Sequence, residues 1–318
     1  MNTTYFMVYL IKANRGAKTY YYLAENARVG RGRRKLLKKY LGSAKPGAKQ
    51  LAALTDQFQA EIEVKKHALT GYHYLLPDEI KHIDKTNNGF LERYRQLNPT
   101  EREQFDQNFV NVFVYNSNSI AGSTLTAREV RLLLEENIAP NKDLEDVLEA
   151  RNAQKTLALV KATKTPFDLG LLCQLHETYF KDTKPFIAGK LKTKDNFVRG
   201  ARFQTTKPAY ILTDLKLYFS DYARLAKELH PLELAAWAHW KFEKIHPFQD
   251  GNGRIGRLVM NYVLFRHGYQ MIDIKTREKQ RYFKALAACD RNNAGEPLAR
   301  LLVKRFTAQY LHALKEGK

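Results

Sequence analysis

The sequence predicts a mainly α-helical protein with a small antiparallel β meander at its N-terminus. Three observations lead there. From about residue 51 onward, apolar residues recur with the 3.6-residue period of a helix. Before that point, short runs rich in Tyr, Val and Leu are separated by glycine-containing turns. The composition is that of an ordinary globular chain: 318 residues, 44% hydrophobic and 12% aromatic, with no apolar run long enough to cross a bilayer.

The meander comes first along the chain. Residues 5–11 and 18–24 flank Asn14-Arg15-Gly16 and read as a β-hairpin, and a third extended segment near 34–41 follows the Gly30/Gly32 turn. SAKPGAKQ at 43–50 breaks the pattern. A boundary placed there gives 1–45 as a basic β module, 46–115 as a helical linker and 116–310 as the core. Residues 1–50 hold twelve Lys or Arg against Glu25 alone, so +11 of the net +20 lies in the first sixth of the chain. Such a block is either a solvated face or an electrostatic footprint for a polyanion. With Tyr20, Tyr21 and Tyr22 interleaved, the meander could lay a β-ribbon against a nucleic-acid backbone.

The helical part carries its own start signals. Asn98-Pro99-Thr100-Glu101 opens one helix, and Thr126 with Glu129 three residues on forms the capping box of another. Thr165-Pro166-Phe167-Asp168 starts a third, and Leu229-His230-Pro231-Leu232-Glu233 a fourth that runs to about Ile245. The exception is 187–213, which lacks helical periodicity and reads as a short hairpin flanked by loops. Cys173 and Cys289 lie far apart with no metal-type spacing. The N-terminus shows neither a basic n-region nor a small-residue cleavage site. The expectation is a cytoplasmic protein without disulfides and without a membrane partner.

The chemistry concentrates in HPFQDGNGRIGR, residues 246–257. His246 ends one helix and Pro247 forbids its continuation, which sets an imidazole, the general base best matched to neutral pH, at a helix-to-loop junction. Gly251, Asn252 and Gly253 let backbone N–H groups converge at the start of the next helix, an anion nest reinforced by the helix dipole. Arg254 and Arg257 are three apart and share a face of that helix, so both can point at the same anion. An anion that takes a nest and two guanidiniums is a polyphosphate. Asp250 beside it would repel phosphate unless it holds a bridging Mg²⁺. The site deduced from these residues binds a Mg-nucleotide and sets a base near an attacking hydroxyl.

At these residues the sequence resembles the Fic family, whose signature reads HPFxxGNGRxxR. The likeness extends through LHPLELAAWAHWKFEKIHPF upstream and MNYVLFRHGY with YFKAL downstream, about residues 100–300. It implies a Fic-type helical core with a β-hairpin flap, and transfer of AMP from ATP to a protein side-chain hydroxyl with release of pyrophosphate. By the same resemblance, His246 takes the hydroxyl proton and Asp250 holds Mg²⁺. Gly251, Asn252 and Gly253 cradle the phosphates, Arg254 binds the β-phosphate and Arg257 reaches the γ-phosphate. Val198, Arg199 and Gly200 match flap positions that pair with the target segment by strand addition. The fit is looser there, because RGARFQTTKP replaces the family's Gly-then-Pro-Pro pattern. Tyr282 and Phe283 match an aromatic pair near the adenine, and Asp290 falls where an adenine-contacting Asn is common. The protein partner is then a Ser, Thr or Tyr hydroxyl, the chain itself included.

Many Fic proteins silence themselves with a helix bearing (S/T)xxxE(G/N), whose Glu pairs with the second motif arginine. Ser117, Ala121 and Gly122 match that frame upstream of the core, with Ala where the acid would stand. The resemblance implies a derepressed enzyme whose Arg257 lacks an internal partner. It also implies loss of the AMP-removing activity linked to that Glu. A metal reading of His176, His230 and His239 fails for want of a pattern such as HExxH, so His239, Trp237 and Trp240 are read as core. Two rival functions are a nucleic-acid-associated protein acting through the meander and a silent nucleotide-binding scaffold. Every motif residue needed for chemistry is present, which weighs against the scaffold.

Overall fold

The computed structural model describes residues 8–16, 18–28, 34–69, 74–196 and 204–313. They divide into two compact units, Met1–Glu79 and Ile80–Lys318.

In the first unit, β1 (Tyr9–Arg15), β2 (Lys18–Arg28) and β3 (Arg34–Gly42) form an antiparallel sheet in that order, followed by α1 (Ala48–Leu69). Side chains alternate across the strands, so Leu10, Leu23 and Leu37 share one face with the help of the Leu10↔Leu23 register. That face meets α1: Leu23, Leu37, Phe58 and Ile62 form a buried cluster, with Leu51 and Leu54 packed against it. The first compact unit therefore extends to Glu79, where the sequence reading ends its basic module at residue 45. A three-stranded sheet has nothing to cover its apolar face until α1 supplies Phe58 and Ile62. The other face carries Tyr22 directly opposite Tyr40, with ring centroids 5.3 Å apart, and Tyr20 at 6.2 Å from Tyr40. Tyr9, Leu36 and Tyr40 on that face are exposed.

The second unit is helical, as its periodicity predicts. It contains α2 (Pro77–Gln96, entering from the first unit), α3 (Pro99–Ala121), α4 (Ala127–Glu135), α5 (Leu144–Ala162) and α6 (Leu169–Phe180). Then follow α7 (Ile211–Leu225), α8 (Pro231–Ile245), α9 (Asn252–Arg266), α10 (Lys279–Asn292) and α11 (Glu296–Ala313). The helix starts read from sequence are met. Asn98 and Thr126 each form a full capping box, Asp168 caps α6, and His230 caps α8 with Glu233 completing its box. Each such cap is worth about 1 kcal/mol.

α8 and α9 are the centre. Along α8, Leu232, Leu234, Ala235, Ala236, Trp237, Ala238, Trp240 and Phe242 are all at most 1% exposed. A helix buried on nearly every side is a core helix. α7, α9 and α11 pack on α8, while α3, α5 and α6 pack on α9. Burial of each large side chain such as Trp237 or Phe242 contributes roughly 1.5–3 kcal/mol. The result is a rigid frame around the one connection between these two helices, residues 246–251. The segment read as a hairpin, 187–213, crosses the undescribed residues 197–203; before them, Leu191 makes an isolated antiparallel bridge to Phe248.

Candidate active site

α8 ends at His246, whose backbone is left-handed, φ 54° and ψ 58°. Its Nδ1 lies 3.2 Å from the carbonyl oxygen of Glu243. Only a protonated Nδ1 can bond to a carbonyl, so Nε2 carries the free lone pair. Burial dominates this ring and brings its pKa down to about 4, with Lys192 acting in the same direction and the Glu243 carbonyl and Asp250 opposing. The imidazole is neutral near physiological pH and is a base.

The turn after it is held by polar side chains that look elsewhere than at a ligand. Asn252 accepts from the Phe248 N–H at 2.9 Å and donates to the Phe248 carbonyl at 2.7 Å. From α6, His176 accepts from the Gly189 N–H at 3.0 Å through Nδ1 and donates to the Asp250 carbonyl at 3.1 Å through Nε2. Its ring stacks on Phe248 with centroids 3.9 Å apart, and burial lowers its pKa to about 4. Gly251 has φ 79°, and a Cβ there would stand 2.3 Å from the Phe180 ring. Only glycine fits that conformation and that gap.

Both motif arginines sit on the inner face of α9, and each is anchored. Arg254 donates from Nη1 to the Glu149 carboxylate of α5 and lies over the Phe180 ring, 4.6 Å from its centroid. Its Nη2 is 3.8 Å from Asp250 Oδ2. Arg257 donates from Nε to Ser117 Oγ at 3.0 Å and from Nη2 to the Ser117 carbonyl at 2.8 Å. Its Nη1 points toward Gly253, 3.5 Å from where a Cβ would be. Asp250 spends Oδ1 on the Gly251 N–H at 2.6 Å, while Oδ2 lies 3.4 Å from Lys184 Nζ. Burial works against its ionisation, but Arg254, the Gly251 amide and Lys184 outweigh it and hold the carboxyl below the usual range. An ionised carboxylate, half exposed and beside a nest, suits a Mg²⁺ that arrives with phosphate. Such a Mg²⁺ needs only one or two protein carboxylates. Among the described residues no group of three His, Cys, Asp or Glu could hold a metal without that help.

Residues 166–264, which include this turn and both helices around it, match the model of the Fic/DOC family. Over that stretch the chain is similar to Fic-family domains. It is 27% identical over 218 residues to protein adenylyltransferase fic-1 of Caenorhabditis elegans, 64% of this chain and 42% of that protein. It is 30% identical over 181 residues to protein adenylyltransferase Fic of Nematostella vectensis, 54% of this chain and again 42% of the relative. The chain thus spans under half the length of these curated relatives. A solved Fic domain containing signaling protein from Bacteroides thetaiotaomicron superposes with TM-score 0.67 at 28% identity, covering 74% of this chain and 96% of that one. Fic-1 from C. elegans shares the fold, with TM-score 0.65 at 22% identity over 84% and 77% of the two chains.

Within the matched stretch, the structure brings His246, Asp250, Gly251, Asn252, Gly253, Arg254 and Arg257 together at one helix junction. Several of the expected site residues have partners within the chain. The side chain of Asn252 shapes the loop, leaving its backbone N–H to the nest. Tyr282 is 1% exposed and its hydroxyl meets His239 Nε2 at 2.5 Å, so it packs in the core; Phe283 beside it is 46% exposed. Asp290 accepts from Trp240 Nε1 at 2.8 Å. Arg257 does have an internal partner, Ser117, which offers neutral oxygens and leaves the guanidinium charge uncompensated by that contact. Ala121, one turn beyond Ser117 on α3, is exposed, and Gly122 ends the helix with φ 115°. Val198, Arg199 and Gly200 lie outside the described residues.

Sequence reasoning missed Glu149, Glu243 and Lys184 and treated His176 only as a rejected metal ligand. Glu149 did leave a trace: it stands between Val147 and Ala150 on a buried face of α5. An acid there requires a basic partner. Glu243 is 8% exposed, and burial raises its pKa to about 7 with Arg257 opposing. Of the other histidines, His239 is buried in the core, and His230 caps α8 and meets Asp84 and Tyr269.

Proposed function

We propose that the protein is an adenylyltransferase that moves AMP from Mg-ATP to a hydroxyl of a protein side chain. Support comes chiefly from the neutral His246 with Nε2 free, at the lip of a nest flanked by Arg254 and Arg257. In this reading His246 Nε2 takes the proton from the target hydroxyl as its oxygen attacks the α-phosphorus. The bond from that phosphorus to the bridging oxygen breaks, and pyrophosphate leaves. Backbone amides of Asn252 and Gly253 and the two guanidiniums carry the charge that builds on the leaving group. Asp250 would hold Mg²⁺, which screens the phosphate oxygens when bound. The substrate is another protein or the chain itself. With Ala121 in place of an acid, no carboxylate from α3 competes with phosphate for Arg257, and the enzyme is active without release. Purified protein incubated with Mg-ATP labelled on the α-phosphate is expected to become labelled, or to label a lysate protein. Label transferred only from the γ-phosphate would instead mark a kinase.

A second reading concerns the first unit alone. Its open sheet face sets Tyr20, Tyr22 and Tyr40 together beside Lys38, in the most basic stretch of the chain. Aromatic faces flanked by cations suit nucleic acid. The expected result is binding to single-stranded oligonucleotides that weakens steeply with salt and is lost when Tyr22 and Tyr40 are changed to Ala. Salt-independent binding, or none, would remove this role.

A further inference from the structure

Glu149 holds two cations, and only one belongs to the signature motif. Its Oε2 receives Arg254 Nη1, and its Oε1 receives Lys184 Nζ at 2.8 Å. Lys184 follows α6, and its ammonium also meets Glu145 and lies 3.4 Å from Asp250 Oδ2. Glu149 is 5% exposed, whereas the Lys184 side chain is 23% exposed. A buried carboxylate shared by two cations fixes their spacing against their mutual repulsion. Phe180 contributes from between them: Arg254 lies 4.6 Å from its ring centroid and Lys184 Nζ 5.5 Å. The same ring abuts Gly251, the first residue of the nest.

From this arrangement we propose that Lys184 is a third cation of the phosphate site, and that Glu149 is the positioning residue that holds both Lys184 and Arg254 at it. The inference rests on the nucleotide reading above and adds two residues outside the signature. Lys184 offers three N–H donors on a partly exposed head, against two nearly buried guanidiniums. When the β- and γ-phosphates enter the nest, their oxygens replace Asp250 as its partner, and Asp250 becomes available to the accompanying cation. Lys184 thereby recognises the polyphosphate tail and contributes nothing to the nucleoside or the first phosphate.

Calorimetric titration of the full chain tests this, with Mg²⁺ and an ATP analogue whose α–β bridging oxygen is a methylene group, and with AMP beside it. Lys184→Ala is expected to weaken analogue binding about tenfold, the loss of one charge-assisted contact, while AMP affinity stays within about twofold. Glu149→Gln is expected to do the same or more, and Glu149→Asp to recover part of the loss. Lys184 is partly exposed, so its variant keeps the test intact if Glu149→Gln fails to fold, which a melting curve will show. Unchanged or tighter analogue binding by Lys184→Ala overturns the proposal, the tighter result marking Lys184 as a stopper on Asp250. An equal loss for AMP also overturns it. If the parent binds neither ligand, the nucleotide reading falls first and this inference with it.

Discussion

Replacing His246 by Ala is expected to reduce AMP transfer by roughly 10³-fold or more, with nucleotide affinity close to the parent's. The split follows from geometry. In the proposed reading the phosphate contacts come from the nest, Arg254 and Arg257, none of which is held by the imidazole. Proton removal in this site rests on Nε2, because Nδ1 is engaged by the Glu243 carbonyl at 3.2 Å. Single-turnover rates beside a binding titration separate the two effects. A variant that loses both together would show that the ring shapes the pocket and performs no chemistry. The parent offers a second readout on the same group. The fold depresses this imidazole to about 4, burial first among the causes. The active form is the neutral one, so kcat/KM should hold as pH falls through ~6.5, the ordinary value for histidine, and decline only as it nears about 4. A midpoint close to the ordinary value would mean that the ring is hydrated in the working enzyme.

Changing Ala121 to Glu is expected to suppress transfer by at least about tenfold, or about 1.4 kcal/mol in the barrier. Ser117 already draws Arg257 toward α3, through its hydroxyl at 3.0 Å and its carbonyl at 2.8 Å. Residue 121 lies one turn further along the same helix face. A carboxylate there would meet a guanidinium whose present partners on α3 are neutral, and ATP would have to displace it. The uncharged Ala121→Gln control separates charge from bulk: it should leave transfer near the parental rate while the Glu variant falls. Equal loss from both, or no loss from Glu, would detach α3 from control of the site.

Some of this was legible in the chain and some was not, for physical reasons. Helix starts were readable because a cap is local: Asn98 with Glu101 and Thr126 with Glu129 satisfy each other within four residues. The meander was readable because strand alternation and turn glycines are local too. The partition of the chain was not, since α1 belongs with the sheet only through Phe58 and Ile62 meeting Leu23 and Leu37. The same divide runs through the site. HPFQDGNGRIGR by itself determined a base at a helix end, a nest of amides and a pair of guanidiniums three residues apart, because consecutive residues fix their own geometry. Only the tertiary structure decided what each of those groups is held by. Asn252 turned to its own loop, Tyr282 went to His239, Ser117 took Arg257 and Glu149 took Arg254. Those partners come from helices 43 to 140 residues away in sequence, apart from Asn252, whose partner lies four residues off. A buried charge or donor must be satisfied by whatever the packing brings to it, and packing between distant helices leaves no periodic mark in the sequence.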